Sequence, residues 1–197
     1  EHYVHPAALP TVEQGSIKSD LYRRDFTINS LAVKLNEEDA FCLLDFLDGE
    51  RDIKNKEINV LHDLSFFDDP CRLFRAIRFE QRYDFRISRN TEALMRSAIN
   101  QRLVDDLSGT RLLNEVILIL KESRTLKYIL RMKDLDLLQF ISPQLIDISA
   151  LKNIPAVLSE SISFPEDPEI WYVYFLSLLY SMNEESFEQT AERLQMQ

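Results

Sequence analysis

The chain has 197 residues, of which 45% are hydrophobic and 28% charged, with a formal net charge of −10. That balance fits a soluble globular chain of one or two domains. With only 3 Gly, Gly-rich phosphate loops and many tight hairpins are excluded, and no apolar run approaches the roughly 20 residues of a membrane-spanning helix. Taken in order, residues 3–14 read as irregular, broken by Pro6 and Pro10, with a short strand at Thr11-Val12-Glu13. Gly15 and Ser16 open a turn that leads into a helix from Asp25, its N-cap, to Ala32. Val33-Lys34-Leu35 and Phe41 to Phe46 read as strands joined by a polar turn, Asp52 to Lys56 as a helical turn, and Ile58 to Leu61 as a strand.

After Ser65 the pattern becomes helical. Helices are expected over Phe67 to Tyr83, over Thr91 to Asn100 with Thr91 as cap, and over Gly109 to Glu122. Leu126 to Met132 and Leu135 to Ile141 follow, then Leu151 to Leu158. Ile170 to Met182 is apolar nearly all round and is expected to be buried, before a polar closing helix from Glu184. The fold class is therefore mainly α, with a small α/β piece over residues 1–62, a helical region over 63–145 and a further helical region over 146–197. Cys42 and Cys71 have no metal-type spacing and read as reduced thiols of a cytoplasmic protein. His2, His5 and His62 form no cluster.

The most informative stretch runs from Phe67 to Phe79. Arg72, Arg75 and Arg78 recur every three residues, with Asp69 one step before, so one carboxylate and three guanidiniums are expected along one helix side. A carboxylate beside a guanidinium matches the Watson–Crick edges of adenine and cytosine, which pair an amino donor with a ring-nitrogen acceptor, and mismatches guanine and uracil. The remaining arginines suit phosphates. The same residues also fit an ordinary helix with i,i+3 and i,i+4 ion pairs from Asp68 or Asp69 to Arg72. Charge is unevenly placed: Pro70 to Leu103 carries eight arginines against three acids, whereas Ser142 to Gln197 carries nine acids against two bases. A local basic stripe can bind polyphosphate or RNA on an otherwise acidic chain.

Two segments together resemble the class II tRNA nucleotidyltransferase and poly(A) polymerase family of the polymerase-β superfamily, bacterial CCA- or A-adding type. Arg23-Arg24-Asp25-Phe26-Thr27-Ile28-Asn29 resembles its Arg-Arg-Asp-x-x-x-Asn motif. Asp68-Asp69-Pro70-Cys71-Arg72, followed by Arg75 and Arg78, resembles its Glu-Asp-x-x-Arg motif. Leu44-Asp45-Phe46-Leu47-Asp48-Gly49 with Asp52, and Ser108-Gly109-Thr110-Arg111 with Glu115, add supporting matches. The resemblance covers about residues 1–145. It implies a fold made of the C-terminal part of a polymerase-β-like α/β nucleotidyltransferase head (palm), then a nucleotide-selecting helical neck, then the start of a helical body.

The resemblance also implies roles. Asp69 and Arg72 read the incoming base. Arg24 and Asp25 lie at the ribose and phosphates, and Arg75 and Arg78 hold the triphosphate or orient the reading pair. Arg23, Asn29 and Asp68 are structural residues near the site, and Arg111 and Glu115 a structural ion pair. Asp68 replaces the motif's Glu with one methylene fewer. The family's metal-binding Asp-x-Asp is absent from a plausible early strand; Asp134-Leu135-Asp136 has the spacing but lies in the helical array. No metal ligand and no catalytic residue is expected within this chain, and Mg²⁺ ligands are expected upstream of it, so the chain alone is expected to be inactive. The implied activity is template-independent addition of AMP from ATP to the 3′ end of tRNA or another RNA, with CMP addition from CTP left open and with no membrane partner. A poly(A) polymerase is the nearest alternative. A non-catalytic helical RNA-binding or scaffold module is the alternative from another class.

Overall fold

Short polar caps and competing side-chain hydrogen bonds decide where each element starts. The computed structural model describes residues 15–36, 40–145, 148, 170–180 and 182–196. Its described residues are mainly helical and fall into two compact units, residues 1–106 and 107–197. The elements expected at Thr11-Val12-Glu13 and at Leu151 to Leu158 lie outside the described residues.

In the first unit, Ser16 accepts the Ser19 N–H and caps a helix, α1 (Ile17–Tyr22), where the sequence suggests only a turn. The helix expected from Asp25 to Ala32 does not form. A single 3-10 turn, Thr27–Asn29, stands at its start, and β1 (Leu31–Val33) follows. The backbone here is satisfied elsewhere: the Thr27 N–H donates to the Asn59 carbonyl at 3.0 Å. The Ser30 hydroxyl turns back onto the Phe26 and Thr27 carbonyls at 2.9 and 3.0 Å.

β1 pairs antiparallel with β2 (Leu43–Asp45), Leu31 opposite Asp45 and Val33 opposite Leu43. A helix, α2 (Gly49–Asn55), then replaces the shorter turn expected from Asp52. Its first amides are capped from a distance. The Asp45 carboxylate accepts the N–H groups of Leu47, Gly49 and Glu50 at 3.2, 3.0 and 2.9 Å. Gly49 lies flush against the 3-10 turn, since a Cβ there would stand 2.3 Å from the Thr27 carbonyl oxygen.

β3 (Glu57–Ile58) pairs in parallel with β4 (Arg86–Ile87). Between them run α3 (Ser65–Asp68) and α4 (Cys71–Tyr83), and α5 (Arg89–Asn100) follows. The cap of α5 is Ser88, which accepts the Thr91 N–H; Thr91 itself lies inside the first turn, where its hydroxyl accepts the Val60 N–H. The centre of the unit is α4, whose Leu73, Phe74, Ala76 and Ile77 are fully buried. Each of the large apolar side chains contributes roughly 1.5–3 kcal/mol by burial. The change of composition at residue 63 lies inside this unit, because the β3–β4 ladder joins residues on both sides of it.

In the second unit α6 (Gly109–Leu120), capped by the Ser108 hydroxyl, packs against α7 (Thr125–Asp134) and against the helix Ile170–Leu179. The helix expected from Leu135 is a 3-10 turn, Leu137–Phe140, because Asp136 adopts φ 58° and breaks the helical path after α7. The helix Ile170–Leu179 buries one face, with Tyr174, Phe175, Leu178 and Leu179, and leaves Tyr172 and Leu176 exposed. Its apolar surface all round predicts complete burial; packing on one side leaves the opposite stripe uncovered. The closing helix Glu184–Arg193 is capped by Asn183. No helix among the described residues is long and apolar enough to cross a membrane. Cys42 and Cys71 are free thiols.

Candidate nucleotide-selecting site

The continuous helix expected from Phe67 to Tyr83 is broken at Asp69-Pro70. Proline's ring pushes the residue before it out of the helical region, and Asp69 accordingly sits at φ −146°, ψ 99°. Pro70 opens α4 at φ −63°. The Asp69 carboxylate accepts the Cys71 N–H at 3.0 Å, one of the amides that a helix start leaves unpaired. Asp69 thus projects from the break ahead of α4, not from the helix face itself.

The three arginines of α4 have different surroundings. Arg72 is 5% exposed, and its guanidinium donates to two backbone carbonyls, Nη1 to Ser65 at 3.2 Å and Nη2 to Arg23 at 3.0 Å. Arg75 donates to Asp25 through Nε at 2.7 Å, with Nη2 2.5 Å from the same oxygen, and its guanidinium lies 5.5 Å from the Phe79 ring centre. Arg78 is 6% exposed and lies 5.7 Å from that ring centre. So α4 carries no open basic stripe: only Arg75 of the three is half-exposed.

Arg72 and Arg75 both reach back to the Arg-Arg-Asp segment. There, Asp25 is 7% exposed and its carboxylate is held from two sides. One oxygen accepts the Phe26 N–H at 2.9 Å and the Asn29 side-chain amide at 2.8 Å, and the other accepts Arg75. Asp25 therefore does not cap a helix; it ties the turn together and holds α4 to it. Arg23 and Arg24 lie on the surface, both paired with Asp20, Arg24 at 2.7 Å. Hydrogen bonds from Arg24 and then Arg23 hold the Asp20 carboxyl below its usual range. Asp68 is half-buried, 3.6 Å from the His62 ring nitrogen.

Sequence reasoning missed Asp20, although its spacing of three and four residues from Arg23 and Arg24 is a legible ion-pair signal. It also missed the partner of Thr27: the Thr27 hydroxyl donates to Asp52 at 2.7 Å, and Asp52 is 2% exposed. No local pattern links residues 25 apart in this way. The Asp45 carboxyl is pulled two ways. Burial pushes it up, but the backbone amides of Glu50, Gly49, Leu47 and Asp48 together outweigh this and hold it below the usual range. Among the described residues, no group of three or more His, Cys, Asp or Glu is placed to hold a metal ion.

Arg72, held by the Ser65 and Arg23 carbonyls, and the Asp25–Arg75 ion pair bring the Arg-Arg-Asp segment and the start of α4 together. Comparison with known proteins identifies the family. The Poly A polymerase head domain matches residues 1–59, and the "Probable RNA and SrmB- binding site of polymerase A" matches residues 84–148. An A-adding tRNA nucleotidyltransferase of Geobacter sulfurreducens is 50% identical over 98% of this chain and 23% of its own length. A solved structure of a CCA-adding enzyme, apo form II, superposes with a TM-score of 0.88 at 41% identity, covering 100% of this chain and 47% of that one. A CCA-adding enzyme in complex with ATP superposes with a TM-score of 0.81 at 40% identity, over 92% of this chain and 44% of that one. The chain belongs to the class II tRNA nucleotidyltransferase and poly(A) polymerase family, with its polymerase-β-like head and helical body. It spans less than half the length of each of these relatives.

Proposed function

We propose that this chain is the nucleotide-selecting part of a template-independent tRNA nucleotidyltransferase that adds AMP to an RNA 3′ end. The observation that carries this reading is the Asp25–Arg75 ion pair together with the Arg72–Arg23 hydrogen bond, which bring the Arg-Arg-Asp segment and the Asp69–Arg72 segment to one place. The A-adding relative supports AMP as the nucleotide added.

In this reading Asp69 accepts the exocyclic amino group of adenine and Arg72 donates to the neighbouring ring nitrogen. Guanidinium has five N–H groups, so two carbonyl contacts fix its plane and leave further donors for a base edge. Such a pair is worth about 1–3 kcal/mol of discrimination. Asp25 accepts from the ribose 2′-OH, while Arg24, exposed, and Arg75 meet the phosphates. Arg78, buried against Phe79, orients the reading pair. Cytosine presents the same edge pattern, so CTP is the second nucleotide that the pair accepts. Mg²⁺ is the expected cofactor of this reaction class, and none of the roles given to these residues requires contact with it. The expected location is the cytoplasm.

The test is an extension assay on the full-length polypeptide that carries this chain, with Mg²⁺ and tRNAs ending before CCA, after C and after CC. AMP added once to the CC-ended tRNA is the expected result. CMP followed by AMP makes it a CCA-adding enzyme, and long A tails make it a poly(A) polymerase. No incorporation of any nucleotide overturns the reading.

A further inference from the structure

We propose that Thr27 and Asp52 are positioning residues that set how strictly Asp25 discriminates ribose from deoxyribose. The inference rests on the reading above, in which Asp25 accepts from the 2′-OH. Asp25 is carried on a turn two residues before Thr27, and every polar atom of Thr27 is engaged. Its N–H donates to Asn59 at 3.0 Å, and its carbonyl accepts from the Ser30 N–H and hydroxyl, both at 3.0 Å. Its hydroxyl donates to the Asp52 carboxylate at 2.7 Å.

Asp52 is 2% exposed, on α2, and its other oxygen lies 3.5 Å from the Arg51 guanidinium. A buried carboxylate is costly to keep unless it is hydrogen-bonded, so it persists here as a fixed acceptor. Gly49, one turn earlier on α2, lets the helix approach the Thr27 carbonyl so closely that no side chain fits between. Phe26, fully buried and edge-on to Phe79 at 5.7 Å, pins the residue between. The turn is thus clamped to α2 on one side and α4 on the other. The Thr27–Asp52 bond is the side-chain element of that clamp that touches neither base nor phosphate in the proposed reading. Sub-ångström placement of a carboxylate decides whether it meets a 2′-OH at hydrogen-bond distance.

The test compares kcat/KM for ATP and for dATP in the full-length polypeptide that carries this chain. Asp25→Asn comes first, and loss of the ATP preference is the expected result. Thr27→Val, which keeps the shape and removes the donor, and Asp52→Leu, which removes the acceptor, are each expected to lower the ATP-over-dATP ratio about tenfold, and the double variant to fall no further than the worse single one. Thr27→Ser restores the ratio. The preference for ATP over GTP, which depends on Arg72, stays unchanged in the Thr27 and Asp52 variants. An unchanged ATP-over-dATP ratio in Thr27→Val, with Asp25→Asn impaired, overturns the inference alone. Parallel loss of both preferences, or no rescue by Thr27→Ser, assigns the pair a merely structural role and also overturns it. An unchanged ratio in Asp25→Asn overturns the reading of Asp25 itself.

Discussion

Arg75 and Asp25 lie 50 residues apart in the chain and meet in one ion pair, the arginine's Nε donating to the carboxylate at 2.7 Å. The carboxylate is 7% exposed and the arginine side chain 33% exposed. The pair therefore stands between a surface salt bridge, worth little, and a fully buried one, whose disruption strands a charge. Removing Arg75 leaves the Asp25 carboxylate with only the Phe26 N–H and the Asn29 amide.

Arg75→Gln is expected to destabilise the fold by about 1.5–3 kcal/mol, the range for a lost hydrogen bond to a charged group. Asp25→Asn with Arg75→Gln is expected to cost less than the sum of the two single changes, because the double variant strands no charge. Urea unfolding of the four proteins in the cycle measures this. Additive costs would mean that the two side chains do not act as a unit.

Arg72 separates the enzymatic reading from the scaffold reading. Its guanidinium binds the Ser65 and Arg23 carbonyls, so any substitution disturbs packing to some degree. Arg72→Lys keeps the charge and loses the planar fork. If Arg72 reads the base edge, this variant loses about 5–150-fold of its ATP-over-GTP discrimination, which corresponds to the 1–3 kcal/mol of a bidentate pair. A scaffold role predicts a lower melting temperature and unaltered nucleotide preference.

Gly49 is set by a close approach and not by backbone conformation. A methyl group there would meet the Thr27 carbonyl at 2.3 Å, and backbone yields less readily than the end of a flexible side chain. Gly49→Ala is expected to cost about 1–3 kcal/mol, the usual range for overpacking a tight contact. Thermal unfolding checks it, and a neutral result would mean that α2 can shift away from the turn.

Asp45 caps α2 only as a carboxylate, since both of its oxygens accept backbone amides. Asparagine retains one acceptor oxygen, so Asp45→Asn is expected to destabilise the fold by about 1–2 kcal/mol at pH 7. The folded-state carboxyl titrates below the usual carboxylate range, held there by the backbone amides against the effect of burial. A depressed pKa stabilises the fold above the unfolded value, and that contribution is lost as pH falls through the folded one. The difference between the wild type and Asp45→Asn is therefore expected to shrink as pH drops below about 4. A gap that is constant from pH 7 to pH 2 would show that the capping does not depend on the charge.

The sequence by itself determined the helical character after Ser65 and the apolar faces of α4 and α6. Helical spacing of Leu73, Phe74 and Ile77 acts within a few residues, and short-range effects of that kind survive in a one-dimensional pattern; the cap of α5 is Ser88, three residues before the Thr91 that the sequence suggests. The short elements were less legible. The 3-10 turn at Thr27–Asn29 looked like a helix start because the groups that satisfy its backbone instead, Asn59 and Ser30, compete only in the folded chain.

What only tertiary structure decided is how the site is held. The three-residue spacing of Arg72, Arg75 and Arg78 suggested a shared open face. In the fold Arg72 is bound to carbonyls, Arg75 to Asp25, and Arg78 is buried against Phe79. The register of a helix fixes where a side chain points, but its burial and its partner come from elements 25 to 50 residues away. Asp52 is the clearest case: alone in the sequence it reads as one more acid in a surface turn, and only the approach of α2 to Thr27, permitted by Gly49, turns it into a buried acceptor. The physical reason is that long-range hydrogen bonds and desolvation depend on which surfaces meet, and linear spacing carries no record of that.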